Sequence, residues 1–188
     1  MRKHLLSRVA AIGAALALAT VAVLLVLPRA NGQVVNDREL LAQLKQLFPG
    51  AATFSAKSGN PPAFKALGQA ASGQEPPVLG YAFWTTELEP LERGYDGPIK
   101  ILVGIDMKGV LAGIVVAEHH EPYGNFSIDP PQFSAQFKGK DVRDRFRVGM
   151  DVDAVSRASI TIGSATRAIR NSARRIARQY LAPPDAAN

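Results

Sequence analysis

Apolar positions follow two different rhythms along this chain. Leu40, Leu41, Leu44, Leu47 and Phe48 recur at helical spacing. Asn36 stands where it can cap that helix, Glu39 lies three residues on as in a capping box, and Pro49-Gly50 ends the segment. Between Ile99 and Asp106 the period shortens to two, with Ile99, Ile101, Val103 and Ile105 alternating with Lys100, Leu102, Gly104 and Asp106. Asp106-Met107-Lys108-Gly109 supplies a turn and Val110–Glu118 returns, so the pattern predicts a hairpin that buries one face and leaves the other for a partner element. Helical spacing resumes with Ile162, Ile169, Ile176 and Tyr180, filled in by Ala165, Ala168, Ala173 and Ala177. It predicts a helix over Ile162–Leu181, stopped by Pro183-Pro184.

The intervening stretches are weaker signals. Ala51–Phe54 reads as a short strand and Val78–Thr86, β-prone and aromatic, as a longer one. Residues 57–77, rich in Gly, Pro, Ala and Ser, read as loop with a short helix at Ala63–Leu67. Leu88–Pro98 is a turn region, Gln132–Phe137 a short helix ended by Gly139, and Asp141–Val148 a short strand or extended segment. These elements add up to an α+β fold: a single domain over residues 30–181, an antiparallel sheet flanked by helices, followed by a disordered tail, 182–188.

One hydrophobic helix precedes that domain. Val9–Leu27 is uncharged and follows Arg2, Lys3 and Arg8. A span needs about 20 apolar residues, a cleaved leader only about 7–15. Residues 1–29 therefore read as an N-terminal membrane anchor, with a cleaved signal sequence as the alternative, since Ala30-Asn31-Gly32 ends in small residues. The basic flank sets the orientation: a single pass through the cytoplasmic (inner) membrane, with the domain on the periplasmic or extracytoplasmic side.

Charge adds less than the totals suggest. The chain holds 22 Lys+Arg against 16 Asp+Glu, but the excess sits in the leader and in Arg167, Arg170, Arg174, Arg175 and Arg178 of the last helix. Residues 30–162 are slightly acidic, which argues against a nucleic-acid partner. With no cysteine there is no disulfide scaffold, thiolate metal site or Cys nucleophile. His119-His120-Glu121 is the one stretch with metal-ligating side chains in sequence, but neighbours on an extended chain point to opposite faces, so no metal is expected.

The stretch that carries chemistry is Asp153-Ala154-Val155-Ser156-Arg157-Ala158-Ser159, a hydroxyl-rich turn leading into the last helix. A helix start offers unpaired N–H groups and the positive end of the dipole, which suits phosphate. Ser156, Ser159 and Thr161 place hydroxyls there and Arg157 adds a cation; a plain N-cap is the simpler reading of the same residues.

This stretch resembles the flavinylation signature of the extracytoplasmic FMN-binding domain family: Asp, two residues, Ser or Thr, usually Gly, Ala, then Thr or Ser. Asp153, Ser156, Ala158 and Ser159 match those places. Gly80-Tyr81-Ala82-Phe83, Gly94-Tyr95-Asp96-Gly97-Pro98-Ile99, Glu118-His119-His120-Glu121-Pro122 and Asn171-Ser172-Ala173-Arg174-Arg175 extend the resemblance to the NosR/NirI type, related to the RnfG and NqrC flavin subunits. It covers roughly residues 36–181. Two positions depart from the pattern: Arg157 stands where Gly is commonest and Ser159 where Thr is commonest.

The resemblance implies FMN joined through its phosphate to Ser159, with Asp153, Ser156, Arg157, Ala158 and Thr161 around it, and a flavin transferase as a partner. It implies a membrane-anchored carrier that relays electrons in a membrane-associated redox chain, rather than an enzyme with its own substrate. NosR-type proteins continue into membrane spans and a ferredoxin-like region; this sequence ends after the flavin domain, so the electron donor is expected to be a separate membrane protein, ferredoxin-like or otherwise. Trp84, Phe83, Tyr81 and Tyr123 are candidate neighbours of the flavin ring, or else core aromatics. The alternative function is a non-flavinylated binding or regulatory module that contacts a partner membrane or exported protein.

Overall fold

A computed structural model describes residues 37–181. The expected anchor, its alternative as a leader, Asn36 and the tail after Leu181 lie outside the described residues. Within them, no helix is long and apolar enough to cross a membrane.

Helix α1 (Arg38–Leu47) is capped by Asp37, whose carboxylate accepts from the amides of Glu39 at 3.0 Å and Leu40 at 3.3 Å. The cap is thus one residue later than the sequence suggests, and Asp, being acidic, also suits the helix dipole. Leu44, Leu47 and Phe48 are buried as the spacing requires.

Five strands follow: β1 (Thr53–Phe54), β2 (Phe64–Leu67), β3 (Val78–Trp84), β4 (Lys100–Asp106) and β5 (Leu111–Glu118). They form one antiparallel sheet in the order β1-β2-β3-β4-β5, each pairing with its sequence neighbour. The helix expected at Ala63–Leu67 is strand β2. Ala and Leu favour a helix weakly, but here the segment completes a ladder with β3 and sends Phe64 and Ala66 inward while Lys65 faces out. Tertiary pairing decides such short segments.

Both faces of the sheet are covered. Ile99, Ile101, Val103 and Ile105 join Tyr81, Phe83, Ile162, Ile169 and Ile176 in one core. Leu102, Ala82 and Trp84 join Leu44, Leu47, Phe48, Phe54 and Phe64 in a second. The partner element for the second face of the hairpin is therefore α1. Tyr81, Phe83 and Trp84 are core aromatics, and Trp84 also carries the Lys100 ammonium over its ring at 4.9 Å.

Thr85 opens a single helical turn, α2 (Thr85–Leu88), and its buried hydroxyl both donates to the Ile99 carbonyl and accepts from the Ile101 amide, each at 3.1 Å. After β5 come two short helices, α3 (Gly124–Ser127) and α4 (Pro131–Ala135). Asp141–Val148 is not a strand but a run of turns with isolated bridges from Asp141 to Val110 and from Val148 to Val152. Its aspartates bend it: Asp141 accepts from the Arg143 amide at 2.9 Å, Asp144 from the Asp141 amide at 2.9 Å, and Asp151 from the Phe146 amide at 2.8 Å.

The long helix, α5, runs Ser159–Tyr180. It starts three residues before the expected Ile162, because Ser159 and Thr161 are inside its first turn rather than in the preceding loop. Ile162, Ala165, Ile169, Ala173 and Ile176 are buried against the sheet.

Candidate functional site at the start of helix α5

Val155–Ala158 is a tight turn, closed by the Ala158 amide on the Val155 carbonyl at 3.1 Å. Arg157, third in that turn, has φ +68°. Left-handed backbone costs a residue with a Cβ about 1–2 kcal/mol and costs glycine nothing. The geometry of this turn thus explains why a family sharing it would favour Gly at the place Arg157 occupies.

Ala158 is the N-cap of α5 and supplies no side-chain acceptor. The next three amides, of Ser159, Ile160 and Thr161, have no carbonyl inside the helix to reach. A 22-residue helix therefore begins with donors and a positive dipole end that no cap satisfies. That start opens on a cavity of about 310 Å³ lined by Tyr95, Pro122, Tyr123, Arg157, Ala158, Ser159, Ile160 and Thr161. Tyr95 is 71% and Ile160 56% exposed, and Tyr123 lies half-exposed against Phe126 with ring centroids 5.3 Å apart. Exposed aromatic and aliphatic side chains gathered around a ring of free donors suit a ligand that is anionic at one end and flat and apolar at the other.

Of the residues expected from the sequence, Arg157, Ala158, Ser159 and Thr161 line this cavity together. Ser159 is exposed at the first helical position, and Arg157 pairs with no carboxylate among the described residues. Asp153 and Ser156 are exposed and outside the lining; the Asp153 amide donates to Gln136 Oε1 at 2.6 Å. Tyr123 stays at the site, unlike the three core aromatics.

The sequence pattern gives no individual role to Tyr95, Pro122 and Ile160, nor to Glu121 behind them, although residues 94–99 and 118–122 are among the segments that carry the family resemblance. Glu121 is 6% exposed. Its carboxylate accepts from the amides of Tyr95 and Asp96, each at 2.9 Å, and from the Thr161 hydroxyl. Burial pushes its pKa up, but the hydrogen bonds from Thr161, Asp96 and Tyr95 together outweigh burial and hold the carboxyl below its ordinary value. Gly94 permits the approach, since a Cβ there would stand 2.3 Å from Glu121 Oε1.

His119 braces the same loop. Its Nδ1 accepts from the Glu121 amide at 3.1 Å, so Nε2 carries the proton and donates to Asp129 at 2.7 Å. The ring packs over Gly124, where a Cβ would come within 2.1 Å of Cε1. His120 is exposed.

Residues 94–174 match the FMN-binding domain model, and that segment contains every residue lining the cavity. That segment of the chain is similar to the FMN-binding domain. Regulatory protein NosR of Stutzerimonas stutzeri is 29% identical over 145 residues, 72% of this chain and 19% of that protein. A component of the ion-translocating oxidoreductase complex of Haemophilus influenzae (strain Rd) is 47% identical over 47 residues, 25% of this chain and 21% of that component. Its counterpart in Haemophilus influenzae strain PittEE is 45% identical over the same length. The chain thus matches only about a fifth of the length of these relatives. The cavity suits FMN on its own geometry: uncapped amides and Arg157 suit a phosphate, and exposed Tyr95, Tyr123 and Ile160 suit one face of a flavin ring.

Proposed function

We propose that this protein is an electron-relay flavoprotein, held by its N-terminal apolar segment in the cytoplasmic membrane with the FMN-binding domain on the extracytoplasmic side. The observation that carries the reading is Ser159, a solvent-accessible hydroxyl at the first position of an uncapped long helix, inside the segment that matches the FMN-binding domain. FMN supplies the redox chemistry when bound, passing electrons singly or in pairs, and the protein supplies position and electrostatics.

In this reading a flavin transferase joins FMN to Ser159. The Oγ–H bond is exchanged for an Oγ–P bond, and the proton leaves with the group displaced from the phosphorus of the flavin donor. The α5 amides and Arg157 then hold the phosphate, and Tyr95 and Tyr123 flank the ring near the surface. Asp153 and Ser156, outside the cavity, belong to the surface that the transferase recognises. The names of the relatives, a regulatory protein and a part of an ion-translocating oxidoreductase complex, support a membrane redox partner as the electron donor.

The test is intact mass of the full chain made together with a flavin transferase. Wild type should gain one FMN less a water, and Ser159→Ala should gain nothing while Ser159→Thr is loaded. Flavin retained on Ser159→Ala moves the attachment site elsewhere. Wild type without flavin replaces the redox reading with that of a non-flavinylated binding module. Release of the chain by a carbonate wash of membranes would sink the anchor.

A further inference from the structure

The three walls of the cavity come from separate parts of the chain: Tyr95 from the loop before β4, Pro122 and Tyr123 from the loop after β5, and residues 157–161 from the start of α5. One side chain joins all three. Glu121 Oε1 accepts from the Asp96 amide, while Oε2 accepts from the Tyr95 amide and from the Thr161 hydroxyl. The backbone of Glu121 leads directly into Pro122, which lines the cavity, and His119 fixes it from behind.

We infer that Glu121 is the positioning residue of the flavin site: it sets Tyr95 and the first turn of α5 at the spacing the cofactor needs, without touching the cofactor itself. It does not line the cavity, so its action is through Tyr95 and Thr161. The inference rests on the flavin reading for what is positioned, but not for the positioning.

The donor count makes an ionised carboxylate necessary. All three partners donate, and an ionised carboxylate is acceptor-only. An amide in its place would put an NH₂ against the Asp96 or the Tyr95 backbone N–H, whichever way it turned. A buried group that meets only donors loses more from a change of chemistry than from loss of a contact. A second tie limits how far the loop could drift: Glu92, three residues before Tyr95, pairs with Arg167 of α5 at 2.6 Å. Loss of the Glu121 contacts therefore frees residues 94–97 locally and leaves the remainder of the loop attached.

The experiment compares Glu121→Gln and Thr161→Val in the full chain, with Asp141→Asn as a control for general loss of stability, since Asp141 lies outside the cavity. In flavin-free protein the Tyr95 and Asp96 amides should exchange about tenfold faster in Glu121→Gln, with β4 amides unchanged. Covalent loading with the transferase should fall about fivefold or more in both site variants and stay full in Asp141→Asn. The visible circular dichroism of whatever flavin is loaded should change in both site variants, which a purely global loss of stability would not cause. If Glu121→Gln does not fold, Thr161→Val, which keeps the carboxylate and removes one donor, decides alone. Wild-type exchange at Tyr95 and Asp96 in Glu121→Gln overturns the inference, as does full loading with unchanged dichroism in either site variant. Should wild type take no flavin, the flavin reading fails and the exchange rates still decide whether Glu121 sets the loop.

Discussion

Tyr180, in the last turn of α5, stacks on Tyr81 of β3 with ring centroids 4.8 Å apart and planes 16° from parallel. Its hydroxyl donates to the Pro61 carbonyl at 2.6 Å. The far end of the helix is thus fastened to the sheet and to the loop before β2. Burial raises the pKa of the hydroxyl, the Tyr81 ring nearby adding to it, so it stays a neutral donor. Tyr180→Phe should cost about 1 kcal/mol, one hydrogen bond, and Tyr180→Ala about 2–3 kcal/mol because the stacked area is lost as well. Urea unfolding checks both; no loss in Tyr180→Phe would show that the hydroxyl contributes nothing, and equal losses would show that the stacked ring does not.

Arg157 offers a test with the opposite sign. Relief of left-handed strain is worth about 1–2 kcal/mol, while glycine adds about 0.5–1 kcal/mol of chain entropy to the unfolded state. The strain wins, so Arg157→Gly should raise stability by about 0.5–1 kcal/mol. A lower urea midpoint would mean that the guanidinium makes contacts worth more than the strain.

Two arginines of α5 are structural ties. Arg174 donates to the carbonyls of Val142 at 2.9 Å and Asp144 at 2.8 Å, and Arg175 to that of Leu88 at 3.0 Å. Both hold loops of their own chain. Arg174 is fifteen residues beyond Ser159, about 22 Å along a helix. Arg174→Gln should therefore lower stability by about 1–2 kcal/mol and loosen the 141–152 turns to proteolysis, with flavin content unchanged. Loss of flavin without loss of fold would place the anion site at the wrong end of α5.

Acid sensitivity follows from two carboxylates. Asp141 is pulled down to about 2, chiefly by its hydrogen bonds from Arg143, and Glu121 is held below its ordinary 4.5. A depressed folded-state pKa gives stability that is full above the unfolded-state value and lost as pH falls toward the folded one. The urea midpoint should decline from about pH 5 to pH 2, and Asp141→Asn and Glu121→Gln should each flatten the decline while starting lower at pH 7. A parallel decline in both variants would assign the acid loss to other groups.

Period and punctuation made the central hairpin and the body of α5 legible, because Ile99 to Ile105 alternate strictly and Ile162, Ile169 and Ile176 repeat on one stripe. The second covered face was harder to see: Leu102 and Gly104 look like an open side until α1, far earlier in the chain, is placed on it. β2 was hidden because five residues of Ala, Phe, Lys and Leu carry no decisive local preference. Ser159 and Thr161 misplaced the helix start, since both favour caps and turns in sequence. The cavity residues Arg157, Ala158, Ser159 and Thr161 were reachable from one contiguous motif. Glu121 was not, because its partners lie 25, 26 and 40 positions away and no local pattern marks such a contact.

The sheet is a plain meander, and its order has a consequence for when the site comes into being. Every strand pairs with the one beside it in sequence, so the ladder closes only short loops as it grows, the inexpensive kind. The site shares none of that locality. Its walls meet only when α5 docks across the finished sheet, bringing residues 157–161 to Tyr95 and Tyr123. A chain that lacks α5 lacks both Ser159 and one wall of the acceptor, and it leaves Ile99, Ile101, Val103 and Ile105 without the α5 residues that cover them. On the flavin reading, attachment of the cofactor then reports that α5 has been made and has closed over the sheet, and the modification doubles as a mark of finished folding.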